Sequence, residues 1–196
     1  MQVAVKYPRV LLAHAQRGDC VQQLARDLSV QVATILSVQA RASLLLPGGS
    51  SPQQLLPLLA AEPLEWARVD VSPTDERWVA ADAEQSNWRL LQQGLPAAIC
   101  LDPRQADSAQ ASASLWADQL QARMPFAAVL LGMGEDGHIA SLFPGMPGLA
   151  PALDLQAAPS ALCAQAPSEP RQRLSLNLPM LLQAQWLGLL AFGQSK

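Results

Sequence analysis

Short apolar runs of strand length alternate with stretches of helical period along this chain, and that alternation restricts it to an α/β fold. The strand candidates are residues 43–46, 66–71, 97–101, 126–131, 161–166 and 186–192. Between them, Val21, Leu24, Ala25, Leu28, Val32, Ile35 and Leu36 recur at three- and four-residue spacing, which predicts a long amphipathic helix with Asp19 and Gln22 as its capping box. Ser51 is placed as an N-cap with Pro52 at the first helical position, and Pro57 should shorten or kink the helix they open. Further helices are expected near 83–95, 108–123 and 179–185. The arrangement predicts a mostly parallel, Rossmann-like sheet with helices on both faces.

In such a sheet ligands bind beyond the carboxyl ends of the strands, so the loops there matter most. Three of them hold the unusual residues: 48–51, 75–77 and 132–138. The proline-rich stretch 144–170 reads as an irregular excursion within one domain spanning 1–196. No internal repeat or low-complexity tract stands out.

Composition narrows the partners. A net charge of −3 and a pI near 5.3 argue against a broad nucleic-acid surface, which must neutralise many phosphates at once. A small anion needs only a few convergent cations, and Arg77, Arg173 and Lys196 can supply them. Cys20, Cys100 and Cys163 are odd in number, far apart and in no C-x-x-C pattern, so neither a disulfide framework nor a zinc site is expected, and a reducing compartment fits. No apolar run approaches the roughly 18 residues of a membrane span. The N-terminus lacks the pattern of a signal peptide, so the expectation is a cytoplasmic protein with no membrane or nucleic-acid partner.

The chemistry-bearing residues sit in the three loops. Gly48, Gly49, Ser50 and Ser51 lie between a strand and a helix, where backbone N–H groups and hydroxyls can face an anion at the positive helix end; a plain strand-to-helix turn is the equal alternative. Asp75-Glu76-Arg77 reads as a solvated surface or an internal ion pair, or alternatively as a guanidinium placed to grip a phosphate. Gly132, Gly134 and Gly137 permit a tight path that brings Asp136 and His138 into one turn, where the carboxylate can orient a ring that exchanges protons near neutral pH; the alternative is a glycine-rich turn with an incidental solvated histidine. His14, the second of two histidines, reads as structural or solvated. With no H-E-x-x-H and no G-x-S-x-G, neither a catalytic metal nor a nucleophilic serine is expected, and Ser141 is not read as a nucleophile.

Taken in order, these residues resemble the 6-phosphogluconolactonases. Gly48-Gly49-Ser50-Ser51-Pro52 is similar to the family's S-G-G-S-T-P loop, and Asp75-Glu76-Arg77-Trp78-Val79 with Ser86-Asn87 to its D-E-R-x-V…S-N segment. The run 132–145 resembles its G-M-G-x-D-G-H-x-A-S-L-F-P-G signature, and Arg173-Leu174-Ser175-Leu176 followed by Gly193-Gln194-Ser195-Lys196 resembles its late strand and G-x-x-K. The resemblance implies a fold shared with glucosamine-6-phosphate deaminases, ribose-5-phosphate isomerases and CoA transferases, and an enzyme without metal or cofactor. It implies hydrolysis of 6-phospho-D-glucono-1,5-lactone to 6-phospho-D-gluconate in the oxidative pentose phosphate pathway. His138 would be the acid/base group, Asp136 would position it, and Gly48, Gly49, Ser50, Ser51 and Arg77 would hold the phosphate, helped by Arg173 and Lys196.

Two departures bear on this expectation. Pro47 stands where the family has a serine, removing a hydroxyl and an N–H from the phosphate loop. The chain ends at Lys196 where family members continue, which predicts exposed apolar surface near the last strand and either a monomer or a homodimer that covers it. The alternatives are a glucosamine-6-phosphate deaminase or isomerase, against which Ser141-Leu142-Phe143-Pro144 argues, and a non-catalytic sugar-phosphate binder.

Overall fold

The computed structural model describes residues 10–192. In chain order the elements are α1 (Arg17–Leu36), β1 (Ala42–Leu46), α2 (Ser50–Ala60), β2 (Val69–Pro73), β3 (Asp75–Arg77), α3 (Asn87–Gly94), β4 (Ile99–Cys100), α4 (Ala109–Gln121), β5 (Phe126–Gly132), α5 (Leu149–Leu153), β6 (Ala161–Gln165), β7 (Gln172–Leu176), α6 (Leu178–Leu181) and β8 (Ala184–Leu190). Five strands form a wholly parallel sheet in the order β4-β2-β1-β5-β8. The remaining three, β3-β7-β6, form a separate antiparallel sheet.

Alternation along the central strands divides the core. Leu44 and Leu46 of β1, with Leu130 of β5, pack among α1, α2 and α3 through Leu28, Val32, Leu55, Leu59 and Leu91. Leu45, Val129 and Leu131 point the other way, onto Trp116 and Leu120 of α4 and onto Leu174 and Leu176 of β7. A residue such as Leu45, 1% exposed, has no route to water, and truncating it to alanine costs about 2–5 kcal/mol. The excursion after residue 144 adds a third, smaller cluster of Leu142, Phe143, Met146, Ala152, Ala164 and Ala166.

The structure corrects several expectations. Asp75–Arg77 is not a loop but an antiparallel strand, and 161–166 belongs to that second sheet rather than to the parallel one. Residues 66–68 form a single 3-10 turn before β2. α1 starts two residues ahead of Asp19, and Gln16 precedes it without a side-chain cap; Asp19 therefore lies inside the first turn, where its charge favours the helix dipole. α2 opens at Ser50 after Gly49, not at Pro52 after Ser51, and it runs past Pro57 to Ala60. The third helix begins at Asn87, capped by the Ser86 side chain, which accepts from the Arg89 N–H. The expected helix 179–185 is only four residues, because β8 already starts at Ala184.

Candidate active site

β1 and β5 are parallel neighbours, so the loops leaving their carboxyl ends emerge side by side. A Cβ placed on Gly132 would first meet the Pro47 ring, at 3.7 Å. The chain turns from β1 into α2 through Gly48 and Gly49. Gly49 has φ 93°, ψ −171°, which side chains rarely tolerate. Gly48 is needed for space, since a side chain there would overlap the Asn87 carboxamide. Ser50 and Ser51 open α2, and Lys196 lies outside the described residues.

Asn87 joins this turn to β3. Its Nδ2 donates to the Asp75 carbonyl (2.7 Å) and, at longer range, to Asp75 Oδ1 (3.4 Å), while its Oδ1 accepts from Arg77 Nη1 (2.8 Å). Arg77 Nη1 also donates to the Gln85 carbonyl (2.8 Å), which leaves its buried Nε without a partner. Directly across the β3–β7 ladder stands Arg173, 7% exposed, its Nε likewise buried and unpartnered. Burial and the facing Arg77 hold the Arg173 guanidinium below its usual value, against the opposing pull of Asp75 and Glu76. A cleft of about 410 Å³ opens over Gly49, Gln53, Arg77, Ser86, Asn87 and Arg89.

Glu76 makes no direct ion pair with either of these cations. Its buried carboxylate accepts from the backbone N–H groups of Arg77 (2.7 Å), Asn87 (2.8 Å) and Trp88 (2.7 Å) and from Ser86 Oγ (3.0 Å), and it pairs with Arg104 (3.0 Å). Burial pushes its carboxyl upward, opposed by those N–H groups and by Arg104. The acidic and basic members of this triplet thus separate. Glu76 is the internal ion pair and Arg77 the cation left for the cleft.

The loop after β5 builds the second half of the site. Gly134 N–H donates to the His138 carbonyl (2.9 Å), Gly137 N–H donates to Gly134 (3.1 Å), and Gly137 adopts φ 83°. A side chain on Gly134 would overlap the His138 ring. Inside this turn Asp136 Oδ1 receives His138 Nδ1 at 2.5 Å and His138 N–H at 3.2 Å. The hydrogen bond from His138 holds the Asp136 carboxyl below its ordinary value. With Nδ1 engaged and Phe143 against one side of the ring (centroids 4.4 Å apart), Nε2 is the nitrogen available to a reactant.

Ser141 fastens this loop to the second sheet. Its N–H donates to Ser175 Oγ (3.1 Å) and its Oγ donates to Asp75 Oδ2 (2.6 Å), with Ser141 wholly buried. A nucleophilic role is thereby closed to it. Of the residues singled out in the sequence, Asp136 and His138 are adjacent, Arg77 and Arg173 are adjacent, and Gly48 reaches Arg77 through Asn87. Asn87, Asp75, Ser141 and Ser175 escaped the list of site residues. The alternation Arg173-Leu174-Ser175-Leu176 was the available signal for the last of these, since period two sets the arginine and the serine on one side of a strand. Among the described residues no group of three His, Cys, Asp or Glu side chains is placed to hold a metal ion.

A parallel sheet covered on both faces, with a histidine–carboxylate pair in the loop after β5 and a facing arginine pair on the adjoining second sheet, defines the α/β class in which ligands bind beyond the carboxyl ends of the strands. The family model described as glucosamine-6-phosphate isomerases/6-phosphogluconolactonase matches residues 15–196, and the chain belongs to that family. It is 38% identical to a 6-phosphogluconolactonase of Pseudomonas putida over 98% of this chain and 83% of that protein. It is 40% identical to one of Pseudomonas aeruginosa over 91% and 79%. A 6-phosphogluconolactonase crystal structure from Shewanella baltica superposes with a TM-score of 0.84 at 32% identity, covering 92% of this chain and 79% of that one. A monomeric glucosamine-6-phosphate deaminase shares the fold, with a TM-score of 0.71 at 18% identity.

Proposed function

We infer that this chain hydrolyses 6-phospho-D-glucono-1,5-lactone to 6-phospho-D-gluconate, the lactone-opening step of the oxidative pentose phosphate pathway. One observation carries the reading: a histidine held through Nδ1 by a carboxylate lies in the loop after β5, next to the turn that leads to two facing arginines, Arg77 half-buried and Arg173 buried, neither of them in a direct ion pair with a carboxylate among the described residues. The similarity to proteins named 6-phosphogluconolactonase supports the same substrate.

The chemistry requires little more. Lactone opening needs a placed water, a proton acceptor and donor, and an anchor remote from the reacting carbon. His138 Nε2 takes a proton from water as its oxygen attacks the C1 carbonyl. The C1–O5 bond then breaks, O5 receives the proton from the imidazolium, and the C1 carboxylic acid that forms releases its remaining proton to solvent as the carboxylate. Asp136 stabilises the imidazolium between those steps. Gly48, Gly49, Ser50, Ser51 and Arg77 hold the phosphate, with Arg173 and Lys196 adding charge. The step as written calls on no cofactor. No described helix is long and apolar enough to cross a membrane, and a cytoplasmic monomer or homodimer acting on a small sugar phosphate fits this account.

The test is a fast assay of lactone opening, corrected for spontaneous hydrolysis, with glucosamine 6-phosphate run in parallel. A rate above background on the lactone alone is expected. Turnover of the amino sugar instead would reassign the chemistry. Calorimetric binding of 6-phosphogluconate without any turnover would make the chain a sugar-phosphate binder.

A further inference from the structure

We propose that Asp75 is the positioning residue that sets the two halves of the site against each other, an inference that rests on the hydrolase reading above. Its two carboxylate oxygens face different elements. Oδ2 receives the Ser141 hydroxyl at 2.6 Å, three residues beyond His138, while Oδ1 and the Asp75 carbonyl receive Asn87 Nδ2 at 3.4 and 2.7 Å. Across the ladder from Asp75, Ser175 Oγ receives the Ser141 N–H at 3.1 Å, so residue 141 is gripped through both its backbone and its side chain by one register position of the β3–β7 pair.

Each arm transmits an orientation. The loop between Gly132 and His138 is glycine-rich, and its own hydrogen bonds, with the bridges Met133–Ile139 and Ile139–Leu142, close it on itself without tying it to the second sheet. Downstream, the Ser141 anchor fixes where that turn sits relative to the second sheet. On the other arm, donation from Nδ2 to Asp75 decides which way the Asn87 amide faces. That choice turns Oδ1, an acceptor, toward Arg77 Nη1. An Asp75→Asn side chain with its NH₂ toward Ser141 would turn that hydroxyl from donor to acceptor, and with its NH₂ toward Asn87 would set two donors against each other. Flipping the Asn87 amide to relieve this would present a donor to a guanidinium, which accepts nothing. Asp75 is 8% exposed and Asn87 1%, so water does not readily replace these partners.

The experiment compares Ser141→Ala, Asn87→Ala and Asp75→Asn in steady-state lactone opening, with the Kd for 6-phosphogluconate and the imidazole NMR signals of His138 read on the same proteins. Ser141→Ala should lower kcat about tenfold, keep KM within about twofold and perturb the His138 signals. Asn87→Ala should weaken KM and Kd together about tenfold, and Asp75→Asn should show both effects. Should Ser141→Ala and Asp75→Asn keep the unmutated kcat and His138 signals, or lose activity only in proportion to the fraction folded, the proposal is wrong. If the unmutated chain opens no lactone, the hydrolase reading fails by itself, and the NMR and binding measurements still decide whether Asp75 couples the two loops.

Discussion

Arg77 and Arg173 stand directly opposite each other in the β3–β7 ladder, each with a buried Nε that has no hydrogen-bond partner. Like charges at facing positions destabilise a strand pair, and both buried carboxylates of the strand are engaged elsewhere, Glu76 by Arg104 and three backbone N–H groups and Asp75 by Ser141 and Asn87. On the proposed function, a phosphate dianion held here would relieve this repulsion. Binding of 6-phosphogluconate at 100 times its Kd should therefore stabilise the fold by about 2.7 kcal/mol. For a domain of this size that is a rise in Tm of several degrees, on the order of 5–10 °C. Arg173→Ala should abolish most of the rise while raising KM at least about tenfold, as read by thermal melts with and without the ligand.

Gly48→Ala and Gly134→Ala should fail in different ways. The first drives a methyl group into the Asn87 carboxamide and so displaces the partner of Arg77; the second drives one into the His138 ring. Gly48→Ala should raise KM by about one to two orders of magnitude, and Gly134→Ala should lower kcat by a similar factor. Separate kcat and KM values for the two variants are the check.

Asp136→Asn should lower kcat about 100-fold with KM nearly unchanged, because the amide cannot stabilise the imidazolium. The pH dependence follows from the carboxyl's direction. Asp136 is held below its ordinary value in the fold, so its favourable contribution is present above the unfolded value and is lost as pH falls through the lowered one. Nearly half the side chain is exposed, so solvent screening keeps this contribution small and the substitution should leave the neutral-pH melting temperature almost unmoved. Rate profiles and melts for both proteins across the acid range test it.

Burial pushes the Cys100 thiol up to about 11, beside the indole of Trp88, whose Nε1 donates to the Cys100 carbonyl (3.1 Å). A thiol raised in the fold favours the folded state below its unfolded value, and that advantage disappears as pH rises through the folded one. Stability should therefore decline between roughly pH 9 and 11, where an unfolded chain sheds the proton first. At pH 8 the native thiol should react slowly with iodoacetamide and the unfolded one rapidly, which mass spectrometry of timed samples would show.

The parallel sheet was legible because Phe126–Gly132 and Ala42–Leu46 are apolar on both faces, a pattern that a one-sided antiparallel strand does not show. The second sheet was not. Its strand Asp75–Arg77 is three polar residues whose extended form comes from pairing with β7, nearly 100 positions away in sequence, and nothing local encodes that. The His138 turn was readable for the opposite reason, since its glycines, carboxylate and ring lie within five positions. Asn87 and Ser141 act through partners 12 and 66 residues distant, and only the folded chain brings them into reach.

The central claim is that His138, oriented by Asp136, moves the protons of lactone opening. The most direct measurement is the rate of 6-phospho-D-glucono-1,5-lactone hydrolysis by His138→Ala, background-subtracted and paired with calorimetric binding of 6-phosphogluconate. The account predicts a kcat reduced by about 100- to 10,000-fold with ligand affinity nearly intact. A variant that keeps the full rate would contradict it.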